Sequence, residues 1–243
     1  MILGISLVIA SACVFNNYID RDIDKKMART RKRAIVTGNI SPRNALIYAT
    51  VLGLIGTYLL SLTNLLATAI GLFGLFAYVV LYGIAKRASV WGTVIGSISG
   101  AVPPVVGYCA VTNRLDLGAL LLFIVLVFWQ MPHFYAIALY RQKDYESAKI
   151  PVLPIVKGRS ETINQILHYI IGFSVAVFAL TYFKYTGFVY LFFMSIVCIL
   201  WIRLALQGFK VEDTDKWARK LFGFSLITLL TFSALLSINA LLP

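Results

Sequence analysis

Charged residues are scarce in this sequence of 243 residues. Only 13% of the residues are charged, whereas 60% are hydrophobic, and the mean hydropathy is +0.84. Soluble domains carry about 25% charged residues, so this composition excludes an ordinary soluble globular protein. The sequence therefore predicts an integral membrane protein with no soluble domain.

The short alternating segments that indicate a membrane β-barrel are also missing. A membrane-spanning helix needs roughly 20 apolar residues. Continuous apolar stretches of that kind occur at 2–19, 44–62, 65–84, 91–111, 117–139, 163–183, 187–206 and 219–241. We therefore expect an all-α polytopic bundle with eight visible spans, forming a single membrane-embedded domain over residues 1–243.

Acidic residues are fewer than basic ones, at 10 against 22, which gives a net charge of +12. The cations lie in short loops between spans, as the positive-inside rule requires, so they do not indicate nucleic-acid binding. If the loop 20–43 is cytoplasmic, every basic residue except Arg114 and Lys184 falls inside. Every acidic residue except Asp116 does so as well, which the rule does not explain and which points to chemistry on the inner face.

Cysteine is rare, and its three positions match no metal-binding motif. Cys13, Cys109 and Cys198 all lie inside predicted spans. Free cysteine behaves as a small hydrophobic residue, so we expect all three to pack in the helical bundle.

Three polar side chains recur at intervals of four residues where the first apolar stretch ends. Asn16, Asp20 and Asp24 would lie on nearly one face of a helix. Stacked carboxylates repel each other unless a cation lies between them. Mg²⁺ is usually held by one or two carboxylates and shares its other positions with water and substrate phosphates. The ladder, as we call these three residues, therefore predicts a Mg²⁺ site at the membrane boundary.

Basic residues follow the ladder closely. Attraction to anionic lipid explains the cations by themselves, but it gives no reason for carboxylates at the same boundary. A Mg²⁺-diphosphate site needs both signs of charge. Arg29 and Arg33 would point the same way if the helix continued, and arginine suits bidentate phosphate contact. Lys86 and Arg87 end the third span on the same side; by themselves they would be topology signals.

A second acidic loop follows the fifth span, also on the inner side. It contains Arg141, Asp144, Tyr145 and Glu146. Because a diphosphate offers oxygens to more than one Mg²⁺, we expect Asp144 to be a second metal ligand. The alternative, a polar helix end without a ligand role, remains open and fits Glu146 better.

Polar residues and prolines interrupt two of the apolar stretches. Gln130 and His133 flank Pro132 in the fifth span, and polar groups at such depth usually face a bundle interior or a cavity. His133 is therefore a candidate substrate contact, with a structural role as the alternative. Pro103 and Pro104 predict that the fourth span is broken.

Together these motifs resemble the UbiA-type intramembrane prenyltransferases. The resemblance rests on the ladder with basic residues after it, the acidic loop around Asp144 and the helical membrane chain. The segments 13–24, 29–30, 129–133 and 140–154 are similar to the bacterial, haem-farnesylating branch of that family.

The resemblance implies a helical bundle whose active site opens towards the cytoplasm of a bacterial inner membrane. It implies farnesyl diphosphate and haem B as substrates, Mg²⁺ as the metal and haem O as the product. A haem A synthase or a haem-copper terminal oxidase would use that product. Nine spans are typical of the family, so the abrupt start at Met1 and the count of eight predict that the first span is missing.

The resemblance also implies roles for individual residues. The expected metal ligands are Asn16, Asp20, Asp24 and Asp144, of which the three aspartates are the expected catalytic residues. His133 is expected to meet the haem iron or a propionate, and Arg141 a propionate. The full set of expected substrate contacts is Asn16, Asn17, Arg29, Arg33, Lys86, Arg87, His133, Arg141 and Tyr145.

Two other functions are compatible with parts of this pattern. The same metal chemistry could act on an aromatic acid or a quinone precursor instead of haem. A secondary transporter or channel is disfavoured, because transporters place ionisable groups near the bilayer midplane. Here nearly all acidic residues lie at one mouth of the bundle.

Overall fold

Helices form nearly all of the computed structural model, which describes residues 1–239 and contains no β-strand within that range. A π-helix, Ala77–Tyr82, joins the fifth and sixth helices into one continuous span, Leu65–Ala88. The helices in chain order are α1 (Ile2–Ile19), α2 (Arg21–Asp24), α3 (Ala34–Thr37), α4 (Pro42–Ser61), α5 (Leu65–Phe76), α6 (Gly83–Ala88), α7 (Gly92–Thr112), α8 (Leu117–Tyr140), α9 (Gln142–Ser147), α10 (Leu153–Val156), α11 (Gly158–Tyr182), α12 (Phe188–Gln207) and α13 (Thr214–Ile238).

Within residues 1–239, eight helical segments are long and apolar enough to cross a membrane, which confirms the predicted helical class and span count. Two of them begin five residues earlier than the apolar stretches indicate, since α11 starts at Gly158 and α13 at Thr214. Asp213 caps α13 by accepting a hydrogen bond from the backbone N–H of Lys216 at 2.9 Å. A capped first turn stays helical in water, so the helix extends beyond its apolar part.

The predicted break at Pro103 and Pro104 is wrong. α7 runs unbroken through Pro103 and Pro104, and α8 runs through Pro132. Each proline removes one backbone donor, but unwinding in hydrocarbon would expose many more polar groups that no water can satisfy. Continuing the helix through the prolines therefore costs less free energy than unwinding it.

Large apolar side chains cover much of the outer surface. Leu65 is 82% exposed and Phe188 is 80% exposed. Such a surface requires a lipid environment, because soluble monomers rarely expose extended apolar patches. Cys109 and Cys198 are buried as expected, whereas Cys13 is exposed.

The chain forms two compact units. The first contains Met1–Ala119 and Lys143–Val152, and the second contains Leu120–Gln142 and the residues from Leu153 onward. The prediction of one functional domain remains a prediction.

In the first unit, α1 lies antiparallel to α4 at very short range. The Ser11 hydroxyl donates to the Ala49 carbonyl oxygen at 2.7 Å. A Cβ atom on Gly56 would lie 2.8 Å from the Val8 nitrogen and 2.9 Å from the Gly4 oxygen. Small residues thus let the two backbones touch, as is typical of helix pairs in membranes. This contact fixes the position of α1, the helix that carries the ladder.

α5 and α7 complete the core of the first unit. The Asn64 side chain caps α5 by accepting from the Ala67 N–H at 2.7 Å, and it donates to the carbonyl oxygens of Cys109 and Ala110 at 3.0 and 3.2 Å. One side-chain amide thereby satisfies a backbone N–H at the start of α5 and two carbonyl oxygens near the end of α7. The buried core residues beside it are Ile5, Val8, Leu60, Ala67, Val102 and Val106.

In the second unit, aromatic side chains join α11, α12 and α13. The rings of Phe173 and Trp201 meet edge to face at 5.4 Å. The Trp217 indole N–H donates to the Leu204 carbonyl oxygen at 2.8 Å. Aromatic rings with a satisfied polar atom add specific geometry to an apolar core.

The α1–α4 contact predicts that Gly56→Ala destabilises the protein, although alanine is the better helix former. The added methyl group must push two backbones apart, and we expect a loss of about 1–3 kcal/mol. Thermal unfolding of the purified protein in detergent would measure it. Gly107→Ala in α7 is the matched control, because the nearest atom that its Cβ would meet, the Met1 methyl carbon, lies 3.9 Å away. Equal stability of the two variants would contradict a tight α1–α4 contact.

Candidate active site

The ladder residues lie on one continuous helical path, as their spacing predicts. The Asp20 N–H donates to the Asn16 carbonyl oxygen at 2.9 Å, and the Asp24 N–H donates to the Asp20 carbonyl oxygen at 2.8 Å. Asn16, Asp20 and Asp24 are only 7%, 5% and 3% exposed. Two buried carboxylates this close together require positive partners.

Lys86, at the end of the third span, supplies one of those partners. Its ammonium group donates to Asn16 Oδ1 at 2.6 Å and forms an ion pair with Asp20. Lys86 is itself buried, and its Nζ lies 4.9 Å from the centre of the Tyr82 ring. The ammonium therefore lies among the oxygens that the sequence assigns to a metal.

Arg33 supplies a second partner. Its guanidinium donates to Asp24 Oδ2 at 2.5 Å. The Thr30 hydroxyl donates to the Asp24 carbonyl oxygen at 3.1 Å, which holds the turn that brings Arg33 back to the ladder. The carboxylate and the backbone carbonyl oxygen of Asp24 thus both accept hydrogen bonds from the basic segment that follows it.

Arg87 supplies a third partner through the exposed Asp22. Its two terminal nitrogens donate to the Asp22 carboxylate at 2.9 and 2.7 Å, and one of them lies 3.4 Å from Asp20. Hydrogen bonding from Arg87 lowers the pKa of Asp22 to about 2. Because the folded pKa is depressed, the pair contributes stability above the ordinary Asp pKa and loses it only as the pH falls towards about 2.

The second acidic loop packs against the segment that follows the ladder. Asp144 Oδ1 accepts from the Ala28 N–H at 3.1 Å, and the Ser147 hydroxyl donates to the Lys26 carbonyl oxygen at 2.8 Å. Tyr145 packs on a small apolar cluster that joins the two segments. The structure therefore brings Asp144 and Tyr145 to the same part of the first unit as the ladder.

The other expected substrate contacts in the first unit differ in their exposure and in their partners. Helix α2 ends at Asp24, so the condition under which Arg29 and Arg33 would share a helix face is not met. Arg29 is exposed on the turn, whereas Arg33 folds back onto the ladder. Asn17 is half-buried beside Asn16. Of the two arginines, only Arg33 has an ion pair with a ladder carboxylate among the recorded contacts of residues 1–239.

Sequence reasoning missed two tyrosines beside the lysine. Tyr78 and Tyr82 stack at 5.4 Å within the π-helix, one turn before Lys86. Their spacing of four residues, continued to Lys86, repeats the spacing of the ladder and could have revealed them. π-Helical turns are frequent at functional sites.

The expected haem contacts His133 and Arg141 lie in the second unit. His133 is half-buried, and its ring stacks on Trp129 at 5.0 Å. The Arg141 guanidinium lies 5.6 Å from the centre of the Tyr140 ring. Arg219, which sequence reasoning missed, lies over the same ring at 4.5 Å.

The ladder fits Mg²⁺ in the chemistry of its donors. Within residues 1–239, no group of three or more His, Cys, Asp or Glu side chains is arranged to hold a metal. Mg²⁺ does not need such a group, since one or two carboxylates suffice when phosphates and water complete its coordination. The Lys86 ammonium beside Asn16 and Asp20 demonstrates that these oxygens stabilise a buried positive charge.

The chain is similar to several known proteins. A protoheme IX farnesyltransferase of Citrobacter koseri is 53% identical over 244 residues, which cover 100% of this chain and 82% of the relative. A solved structure of digeranylgeranylglyceryl phosphate synthase has a TM-score of 0.81 at 19% identity and covers 98% of this chain and 83% of its own. A UbiA homolog of Archaeoglobus fulgidus, bound to GPP and Mg²⁺, has a TM-score of 0.62 at 14% identity, with coverage of 97% and 86%.

The two structural neighbours establish the helical fold. The family is established by sequence, because the model of the UbiA prenyltransferase family matches residues 1–230, most of the chain. The chain therefore belongs to the UbiA prenyltransferase family.

Proposed function

We propose that this chain transfers the farnesyl group of farnesyl diphosphate to a vinyl group of haem B. Water adds in the same reaction, and the products are haem O and diphosphate. Relatives about half identical over the full length of the chain carry the name protoheme IX farnesyltransferase, which supports this choice of substrates. The observation that carries the proposal is the charge pairing around the ladder.

That pairing already commits the positive charges of Lys86, Arg33 and Arg87 to carboxylates of this chain. Asp20, Asp22 and Asp24 each already have a lysine or arginine partner. A diphosphate brings several negative charges, so an added cation is needed to hold it beside these carboxylates. Mg²⁺ supplies that charge and polarises the diphosphate oxygens when bound.

Side-chain oxygens of this chain would hold the metal. The proposed ligands are Asn16, Asp20, Asp24 and, from the second acidic loop, Asp144. Three of them are buried on one helical path, and the fourth is held by the Ala28 N–H in the same unit. Buried carboxylates are held in fixed positions, which lowers the cost of ordering the site.

Basic side chains would stabilise the departing diphosphate. Lys86, Arg33 and Arg87 lie beside the carboxylates and can turn to the outer oxygens of the diphosphate, with Arg29 on the exposed turn as a further donor. Negative charge grows on those oxygens as the allylic carbon–oxygen bond breaks. Donors already in place therefore stabilise the transition state more than the ground state.

The acceptor step joins the allylic cation to the haem. A vinyl group attacks the cation, water adds to the new cationic carbon, and a proton leaves. His133 and Arg141 are the proposed haem contacts, while Asn17 and Tyr145 are proposed contacts of farnesyl diphosphate. The bilayer provides an apolar environment for the farnesyl tail and the porphyrin.

The charge distribution supports a cytoplasmic orientation of the ladder in a bacterial inner membrane. On this proposal, farnesyl diphosphate reaches the site from the cytoplasm. A haem A synthase or a haem-copper terminal oxidase would receive the product.

The proposal is tested with the purified protein in nanodiscs, supplied with radiolabelled farnesyl diphosphate and Mg²⁺. Haem B and an aromatic acid are offered as competing acceptors. We expect the label in a haem product whose mass equals haem B plus one farnesyl group and one hydroxyl group. Label in the aromatic acid alone would contradict the choice of haem and favour the other acceptor class.

Asp20→Asn is expected to lower kcat by about 100-fold or more, because it removes one charge from the proposed metal site. Asp116→Asn is the matched control. Asp116 caps α8 by accepting from the N–H groups of Gly118 and Ala119, and an amide oxygen can do the same. The control should retain the wild-type rate, and wild-type turnover by Asp20→Asn would refute the proposed site.

Lys86→Met is expected to raise the affinity of the substrate-free protein for Mn²⁺, used as a spectroscopic substitute for Mg²⁺. Removing the ammonium leaves Asn16 and Asp20 without their positive partner. The affinity for Mn²⁺ should therefore rise by more than about tenfold. Electron paramagnetic resonance of free Mn²⁺ measures the affinity, with Lys184→Met as the control. Unchanged or weaker binding would show that the ammonium and the metal do not share these oxygens.

A further inference from the structure

In the second unit, Ser225 of α13 contacts ring nitrogens of two residues of α8, Trp129 and His133. The Trp129 indole N–H donates to the Ser225 carbonyl oxygen at 2.7 Å. His133 Nδ1 lies 2.8 Å from the hydroxyl oxygen of the same serine. Ser225 is fully buried, so its bond with Trp129 is shielded from water, whereas the His133 ring is half-buried.

The hydrogen bonds around Ser225 decide where the histidine proton lies. The Ser225 hydroxyl lies 2.6 Å from the Phe222 carbonyl oxygen, which can only accept a hydrogen bond. The one hydroxyl hydrogen therefore goes to Phe222, and His133 Nδ1 must donate its hydrogen to the serine oxygen. In the neutral ring, which suits this apolar position, Nε2 then carries a lone pair and no hydrogen.

Aromatic rings fix the orientation of that lone pair. The His133 ring stacks on Trp129 at 5.0 Å, packs against Phe222 at 4.7 Å and meets the edge of Phe134 at 5.3 Å. Among residues 1–239 the recorded hydrogen bonds of His133 use Nδ1 and none uses Nε2. A half-buried ring held in this way presents a basic nitrogen to a ligand.

We infer that His133 Nε2 binds the iron of the haem substrate and that Ser225 is the residue that positions the ring. This inference rests on the proposed function. A propionate cannot be the partner of Nε2, because a carboxylate oxygen and an unprotonated nitrogen both lack the hydrogen that would join them. Iron accepts such a lone pair, and metal-binding histidines typically donate their other N–H to an oxygen, as His133 does to Ser225.

Positive charge for the propionates lies on the same face of the same two helices. Tyr140 is two turns after His133, about 10 Å along α8, and both rings contact Phe222. The guanidinium groups of Arg141 and Arg219 lie over Tyr140 at 5.6 and 4.5 Å. The second unit thus offers an iron ligand at His133 and, around Tyr140, one arginine that follows α8 and one from α13.

Ferric haem B bound to the purified protein, without farnesyl diphosphate, provides the test. We expect an absorption spectrum and a paramagnetic resonance signal typical of histidine ligation. His133→Ala should lose both, and added imidazole should restore them. Ser225→Ala should shift the spectrum and weaken haem binding by about tenfold, whereas Ser195→Ala, which removes only a local bond to Leu191 at 2.7 Å, should not.

Iron-free protoporphyrin IX separates ligation from folding. Wild type and His133→Ala should bind it equally, because it offers no metal to the nitrogen. An unchanged haem spectrum in His133→Ala would overturn the inference, as would equal losses of haem and protoporphyrin binding. If the wild type bound neither molecule, the proposed function itself would fail, and the two failures are therefore distinguishable.

Discussion

The buried ion pair between Lys86 and Asp20 is the interaction on which the candidate active site depends. Burying either charge by itself would cost several kcal/mol, and removing one partner of such a pair typically costs about 3–5 kcal/mol. The pair therefore requires the ends of α1 and α6 to meet. The other ladder residues meet the same need for a partner. Asn16 accepts from the Lys86 ammonium, and Asp24 forms an ion pair with Arg33.

The helix packing around α1 makes this meeting possible. In lipid there is no hydrophobic force that drives helices together, so close backbone contact through small residues has to supply much of the attraction. Gly4 and Gly56 allow α1 to touch α4, and the Ser11 hydroxyl adds a bond to the Ala49 carbonyl oxygen. A helix held along its length can place its polar end with precision. The ladder therefore depends on glycines far from any charge.

Much of the fold could be predicted from the sequence, because hydrocarbon permits few alternatives. An apolar stretch of sufficient length must be a helix, and the same constraint explains why the prediction of a broken helix at Pro103 and Pro104 was wrong. A local rule about proline could not anticipate the cost of unwinding in lipid. The end of α2 at Asp24 likewise depends on Thr30 and Arg33 folding back, which no periodicity in the sequence indicates.

The candidate site could be predicted only as far as its residues lie near one another in sequence. The spacing of the ladder indicated a shared helical path, and the structure has that path. The partner of Asp20 is 66 residues away, and that of His133 is 92 residues away. Such pairings depend on how helices pack, and the sequence offered several equally plausible lysines, arginines and serines. Ser225 in particular has no motif that would single it out.

Selectivity for the acceptor has to come from groups other than those that hold the diphosphate. Carboxylates and cations around the ladder respond to charge, and they cannot distinguish haem from an aromatic acid. An unprotonated nitrogen in the second unit can make that distinction, because it attracts iron and repels the oxygens of a carboxylate. The Ser225 hydroxyl, by holding the hydrogen of His133 on Nδ1, would thus favour haem over an aromatic acid, which has no iron to bind the nitrogen and carries a carboxylate.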